Sequence, residues 1–174
     1  FPFSLIPYIA RILSVEQIGI YNWDLSVINY LIVLAGLSLP IIGMREIGLN
    51  KKSASEIQKI INNIFVMKFF TISVAALLLI FISYVQNFEN NQGILLSLGL
   101  IMIFEIIGHE WVYAAFGDQK SILFRSFIGK LLLLLSTFIL VKDESDFTIF
   151  IIIYIVSTIF PYILGYKYLF ITFR

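Results

Sequence analysis

The stretch Ile60–Val85, IINNIFVMKFFTISVAALLLIFISYV, carries one charged residue, Lys68, in an otherwise apolar or small, neutral run. Strands in globular proteins rarely exceed about 10 residues. About 20 mostly apolar residues suffice for a helix to cross a bilayer's hydrocarbon. The run therefore reads as a membrane-spanning helix. Four other stretches repeat the pattern: Ile18–Gly43, Ile94–Phe116, Ser121–Val141 and Phe147–Phe173. Short polar segments separate them, and no soluble domain fits between. Phe1–Leu13 is too short to cross and reads as the second half of a further span. The expected fold is all-α, a polytopic transmembrane helix bundle of five complete spans and a partial first one. The chain is expected to be a fragment that begins inside a membrane helix.

Composition agrees. Of 174 residues, 60% are hydrophobic and 13% charged, with a mean hydropathy of +0.97. An ordinary soluble domain is about 45–50% apolar and about 25% charged. A soluble fold of this size has too little interior to hide such a share of apolar surface. These values exclude a soluble enzyme and a disordered chain. With a net charge of +1 they also exclude a nucleic-acid binder. The chain has no cysteine, so disulfides, thiolate metal sites and thiol catalysis are absent.

Loop charges give an orientation, because short cytoplasmic loops collect Lys and Arg. The segment after the first complete span carries Arg45, Lys51, Lys52 and Lys59, whereas QNFENNQ carries no basic residue. Lys120, with Arg125 just inside the next span, follows; KDESD has Lys142 against three acids; Lys167 and Arg174 lie at the far end. Basic content alternates rich, poor, rich, poor, rich. Arg45–Lys59 and Gly117–Lys120 are thus expected in the cytoplasm, and SVEQ, QNFENNQ and KDESD outside. Within Arg45–Lys59, Ser53 and Glu56 have the spacing of a capping box for a surface helix, although a simple positive loop also accounts for the segment.

Ionisable residues within spans are costly and usually face a partner or a water-filled cavity. Here they are Asp24, Lys68, Glu105, His109, Glu110, Arg125 and Lys130. Asp24 and Lys68 are near enough to span ends to snorkel toward the interface, the lysine more easily. Glu105 and His109 are four apart, share a helix face and can pair; Gly108 beside them would let another helix approach. Glu105 is expected inside the bundle, as a proton carrier if it has no partner. Glu110 lies well round the helix from Glu105, and Trp111 is expected in an interfacial aromatic belt. Lys130 is mid-span and should pair with an acid or line a cavity; a cationic cavity would suit a phosphorylated substrate. In the first complete span Asn22, Ser26, Asn29, Val33, Gly36 and Pro40 form a small or polar stripe, expected to pack on other helices or a cavity. Pro7, Pro40 and Pro161 are candidate kinks.

Several chemistries are excluded by residue. HEWVY has Tyr113 where a zinc-binding HExxH needs its second histidine. FRSFIGK has Phe124 where a P-loop needs glycine. One histidine and no cysteine leave neither a triad nor a metal cluster. No catalytic residue, metal site or cofactor is therefore expected, and any transport would draw on an ion or substrate gradient.

The strings PYIARIL, GIYNWDLS, LPIIGMREI, EWVYAAFGDQK and FRSFIGKLLLLLSTFILVKDESDF, in this order, resemble the polysaccharide-biosynthesis oligosaccharide flippases. O-antigen flippases are members of that group, which belongs to the multidrug/oligosaccharidyl-lipid/polysaccharide exporter superfamily. The resemblance implies a two-bundle transporter of which this chain is the first bundle, with a central cavity and alternating access. It implies a lipid-diphosphate-linked oligosaccharide moved from the cytoplasmic to the outer leaflet of a bacterial inner membrane. A coupling ion, H+ or Na+, and other polysaccharide-assembly membrane proteins are the implied partners. Matched by position are Arg11, Arg45, Glu46, Glu110, Trp111 and Arg125, while Ala114, Ala115 and Gly117 depart from the Gln–Gly turn common after the EW pair. The candidate substrate or cavity residues are Arg11, Asp24, Asn29, Lys68, Glu105, His109, Glu110, Arg125 and Lys130. A drug or cation exporter of the same superfamily, preferring acids in its cavity, and a membrane glycan polymerase are the alternatives. The short outward loops count against the polymerase.

Overall fold

A computed structural model describes residues 2–36, 38–49, 54–86, 92–108 and 110–172. Among these the regular structure is helical: α1 (Pro2–Ile12), α2 (Val15–Gly36), α3 (Leu39–Leu49), α4 (Ala54–Gln86), α5 (Gln92–Leu98), α6 (Leu100–Ile107), α7 (Glu110–Phe116), α8 (Gln119–Leu140) and α9 (Phe147–Thr172). A 3-10 turn, Glu144–Asp146, leads into α9. Five stretches are long and apolar enough to cross a bilayer: Val15–Leu49, Ser55–Val85, Gly93–Phe116, Gln119–Leu140 and Glu144–Gly165. The chain is an all-α, multi-pass membrane bundle.

Two of the five stretches are not single helices. α2 ends at Gly36 and α3 begins at Leu39; between them Ser38 has φ 61°, and Pro40 sits in the first turn of α3. A proline is tolerated there because its missing N–H would have no helical partner. The third stretch breaks at Gly99 and again at Gly108, whose ψ of 104° is extended. Pro7 and Pro161, in contrast, lie inside the continuous helices α1 and α9.

Local chemistry sets several helix starts. Ser14 and Gln17 form a reciprocal capping box at α2: the Ser14 N–H donates to Gln17 Oε1 (3.1 Å) and the Gln17 N–H to Ser14 Oγ (3.3 Å). The box expected at Ser53 lies outside the described residues. Gly117 takes a left-handed φ of 78°, and Asp118 then caps α8 by accepting from the Ser121 N–H and hydroxyl. These bonds hold the Asp118 carboxyl below the usual range. Asp143 caps the 3-10 turn in the same way, held low by the Ser145 hydroxyl and N–H.

Two apolar clusters hold the bundle. The larger joins Ile28 and Leu31 of α2, Ile72 and Leu79 of α4, Leu98, Met102 and Phe150. The smaller, at the other end, joins Leu39 and Ile47 of α3, Ile57 and Ile64 of α4, and Trp111 and Val112 of α7. Phe69, Phe70, Leu77 and Phe81 of α4 point outward and exposed, as suits a lipid-facing surface. The SVEQ and KDESD segments meet at one end. Gln17 Nε2 donates to the Glu144 carbonyl (3.0 Å), and the Tyr8 hydroxyl to the Val141 carbonyl (2.8 Å). Charge counting places both segments on one side of the membrane.

Candidate functional site

The break at Gly108 ends the helical ladder of α6 in a tight turn, in which the Gly108 N–H donates to the Glu105 carbonyl (3.1 Å). Lys68 of α4 reaches this turn. Its Nζ donates to the Glu105 carbonyl (3.0 Å), Glu105 Oε1 (3.1 Å) and the Gly108 carbonyl (3.3 Å). Lys68 therefore does not snorkel: it is 3% exposed and ion-paired within the bundle. Its three donors find three acceptors inside, so the interface offers nothing better. Glu105 is in the bundle interior, as expected, but it is paired, and the condition for a free proton carrier is not met. Its partner comes from another helix. His109 lies outside the described residues. The Tyr162 side chain also faces Glu105, and its ring packs where a Gly108 Cβ would lie.

Arg125 of α8 is also buried, with its guanidinium 4.0 Å from the centroid of the Tyr113 ring of α7. Its Nε donates to the Ser121 carbonyl (3.1 Å), while Nη1 and Nη2 have no hydrogen-bond partner among the described residues. The Tyr113 hydroxyl donates to the Gly165 carbonyl (2.7 Å). A Cβ at Gly165 would come within 2.7 Å of Arg125 Nη1, so the guanidinium needs glycine on α9. Tyr113, Tyr162 and Gly165 were not among the candidates. Tyr113 shares its span with Glu105 and Glu110, which was the available signal for it; Tyr162 and Gly165 lie in the span Phe147–Phe173, which holds none of the candidate charges and gave no signal.

Between α7, α8 and α9 lies an open groove of about 180 Å³. Glu110, Ser126, Lys130, Thr158 and Tyr162 supply its polar lining, and Gly129 and Pro161 form its floor. Lys130 is exposed there, and among the described residues no ion pair includes it. Of its two expected environments, it takes the cavity. The floor is tight: a Cβ at Gly129 would come within 2.7 Å of Pro161 Cγ and 2.8 Å of the Ser157 carbonyl. Glu110 is exposed in the groove, but its neighbour Trp111 is not interfacial. Trp111 is 6% exposed and packs on Gly43. The glycine opens a flat place for the indole, and burial in a helix contact replaces the aromatic belt.

The remaining candidates stand apart. Asp24 is buried on the inner face of α2, and among the described residues its Oδ2 has no hydrogen-bond partner. Asn29, Asn22, Ser26 and Val33 lie on the exposed face of the same helix. Their stripe is not packed on other described helices, and a Cβ at Gly36 would meet nothing within 4 Å. Arg11 is exposed in the last turn of α1, and Arg45 is exposed on α3. Lys68, Glu105, Glu110, Arg125 and Lys130 thus gather where α4 and α6–α9 meet, and Arg11, Asp24 and Asn29 do not join them. Among the described residues no group of three or more His, Asp or Glu side chains is placed to hold a metal ion.

Such a gathering of charge within apolar spans is expensive unless it is used. Comparison with curated proteins and with solved structures finds no match. A family model described as "Polysaccharide biosynthesis protein" matches residues 1–174. The chain, a multi-pass membrane bundle with this charged cluster among its spans, belongs to the polysaccharide biosynthesis protein family.

Proposed function

We propose that the protein is a flippase, not an enzyme, for a lipid-diphosphate-linked oligosaccharide. It would carry the repeat unit from the cytoplasmic to the outer leaflet of a bacterial inner membrane. The observation that carries the reading is the groove of α7–α9. Lys130 stands open in it at mid-span, and five residues earlier on α8 the buried Arg125 has terminal nitrogens without a hydrogen-bond partner among the described residues. Cations held at membrane depth suit a phosphorylated headgroup. The broken first and third spans suit a bundle whose parts rock against one another in alternating access. In this reading the chain forms the first bundle of a two-bundle transporter. H+ or Na+ is the coupling ion, and other membrane proteins of polysaccharide assembly are neighbours.

The test is complementation of a flippase-deficient strain with the intact gene, scored by surface glycan. Lys130→Ala at unchanged membrane level should abolish rescue. Rescue at the unsubstituted level would sink the reading. Glu110 in the same groove favours a second reading, a drug or cation exporter. Under that reading Lys130→Ala preserves drug efflux and Glu110→Gln removes it.

A further inference from the structure

The Lys68 ammonium has three N–H donors and no acceptor. All three donors are used on one short piece of chain, the turn that ends α6. Its acceptors are two main-chain carbonyls and one carboxylate oxygen. The helix stops at Gly108, and the carbonyls lie at the negative end of its dipole; the Glu105 carbonyl accepts the Gly108 N–H at 3.1 Å with one lone pair and the ammonium with the other. One full negative charge and two carbonyl dipoles thus converge on a point at membrane depth, reached by a side chain that is 3% exposed. Oxygen ligands from a helix that breaks inside the membrane, together with a carboxylate, are a donor set for a hard cation.

We propose that the end of α6 is a monovalent-cation site kept permanently filled by a tethered cation, Lys68. The lysine supplies the charge that Glu105 and the two carbonyls require. Because it is covalently attached, it does not exchange with ions in solution. A coupling ion therefore cannot use these oxygens while the lysine is present. Removing the side chain would pass them to a solution ion, and potassium is the natural probe because it is closest in size to an ammonium group. A simple helix–helix staple makes a different forecast, since its loss would destabilise the protein equally in every salt. The inference rests on the geometry of Lys68 and not on what is transported.

The experiment compares the intact protein with Lys68→Ala, using thermal stability in membrane vesicles. Potassium chloride is exchanged for N-methyl-D-glucamine chloride at constant ionic strength. The unsubstituted protein should show no difference between the salts. Lys68→Ala should gain about 3 °C or more in potassium, a size readable for a protein of this length. Lys68→Ala/Glu105→Gln should lose that gain, because the carboxylate that holds the ion is gone. Equal stability of Lys68→Ala in both salts overturns the proposal. If Lys68→Ala is recovered only in potassium, the proposal holds. If it is recovered in neither salt, the proposal fails, because a site open to solution ions should have been refilled.

Discussion

Gly43 of α3 lies directly against the indole of Trp111 on α7, with the tip of Ile64 closing the third side. A Cβ at Gly43 would come within 2.7 Å of Trp111 Cε3 and 2.5 Å of Ile64 Cδ1. The two halves of this contact come from different membrane spans, so the pair locks the stretch after the first break to the stretch after the third. Neither neighbour can yield cheaply, since Trp111 is 6% and Ile64 5% exposed. Overpacking of this kind costs about 1–3 kcal/mol. Gly43→Leu should therefore lower thermal stability in detergent, whereas Gly48→Leu should not, because a Cβ at Gly48 meets nothing within 4 Å. Equal losses at both positions would show that the Gly43–Trp111 contact does not form.

The absence of cysteine makes sidedness directly measurable. Glu16 and Glu144 are exposed at the end where Gln17 meets the Glu144 carbonyl. Lys120 is exposed at the other end of α8. In intact cells a membrane-impermeant thiol reagent should label Glu16→Cys and Glu144→Cys but not Lys120→Cys. Opening the cells should expose Lys120→Cys as well. Labelling Lys120→Cys from outside would invert the orientation read from the loop charges.

Much of this architecture was legible before any coordinates. Ile60–Val85 declares a span by length and composition, and alternation of Lys and Arg between loops groups SVEQ with KDESD. For Lys130 the sequence left two environments open, an acid partner or a cavity, and the groove of α7–α9 is where it stands. The pairing of Lys68 was not legible. Hydrophobic periodicity tells which face a residue occupies on its own helix, and Lys68 meets Glu105 from another one. What decides that meeting is a backbone event, the extended turn at Gly108, which turns the Glu105 and Gly108 carbonyls toward the ammonium. The sequence marked Gly108 as a place of close approach without saying that Tyr162 is what approaches. Trp111 failed for a related reason. A tryptophan near the end of a span satisfies either a headgroup layer or a glycine-lined helix contact, and only the position of Gly43 chooses between them.

Asp118 and Asp143 make the two turns sensitive to acid. Each carboxylate accepts bonds from a serine hydroxyl and N–H, and each is held below the usual range by them. A carboxyl whose folded value is depressed adds stability above its unfolded pKa of about 3.9. That contribution is lost as pH falls through the folded value. Protection of the Ser121 and Ser145 amides, taken relative to the free peptide's exchange rate at the same pH, should therefore hold at neutral pH and fall below about pH 4. With Asp118→Ala the Ser121 amide should lose that protection at every pH. An amide equally protected in the variant would mean that the carboxylate is not its acceptor.

Arg125 and Tyr113 offer a test of how the buried guanidinium is held. The ring lies 4.0 Å from the guanidinium carbon, and its hydroxyl is fixed by the Gly165 carbonyl at 2.7 Å. A desolvated cation over an aromatic face is worth about 2 kcal/mol, an exposed one about 0.5–1 kcal/mol. Arg125 is buried, so the upper figure applies. A double-mutant cycle of Arg125→Gln and Tyr113→Leu should give a coupling of about 2 kcal/mol in unfolding free energy. Tyr113→Phe keeps the ring but frees it from Gly165, so most of the coupling should survive with a smaller loss from the hydrogen bond, about 1 kcal/mol. Arg125→Lys should recover little, since an ammonium cannot lie flat on the ring. Gly165→Ala supplies the converse, because its Cβ would press on Nη1 from the opposite side and push the guanidinium off its seat. If Arg125→Gln and Tyr113→Leu prove additive, the ring is a neighbour of the cation and not its support.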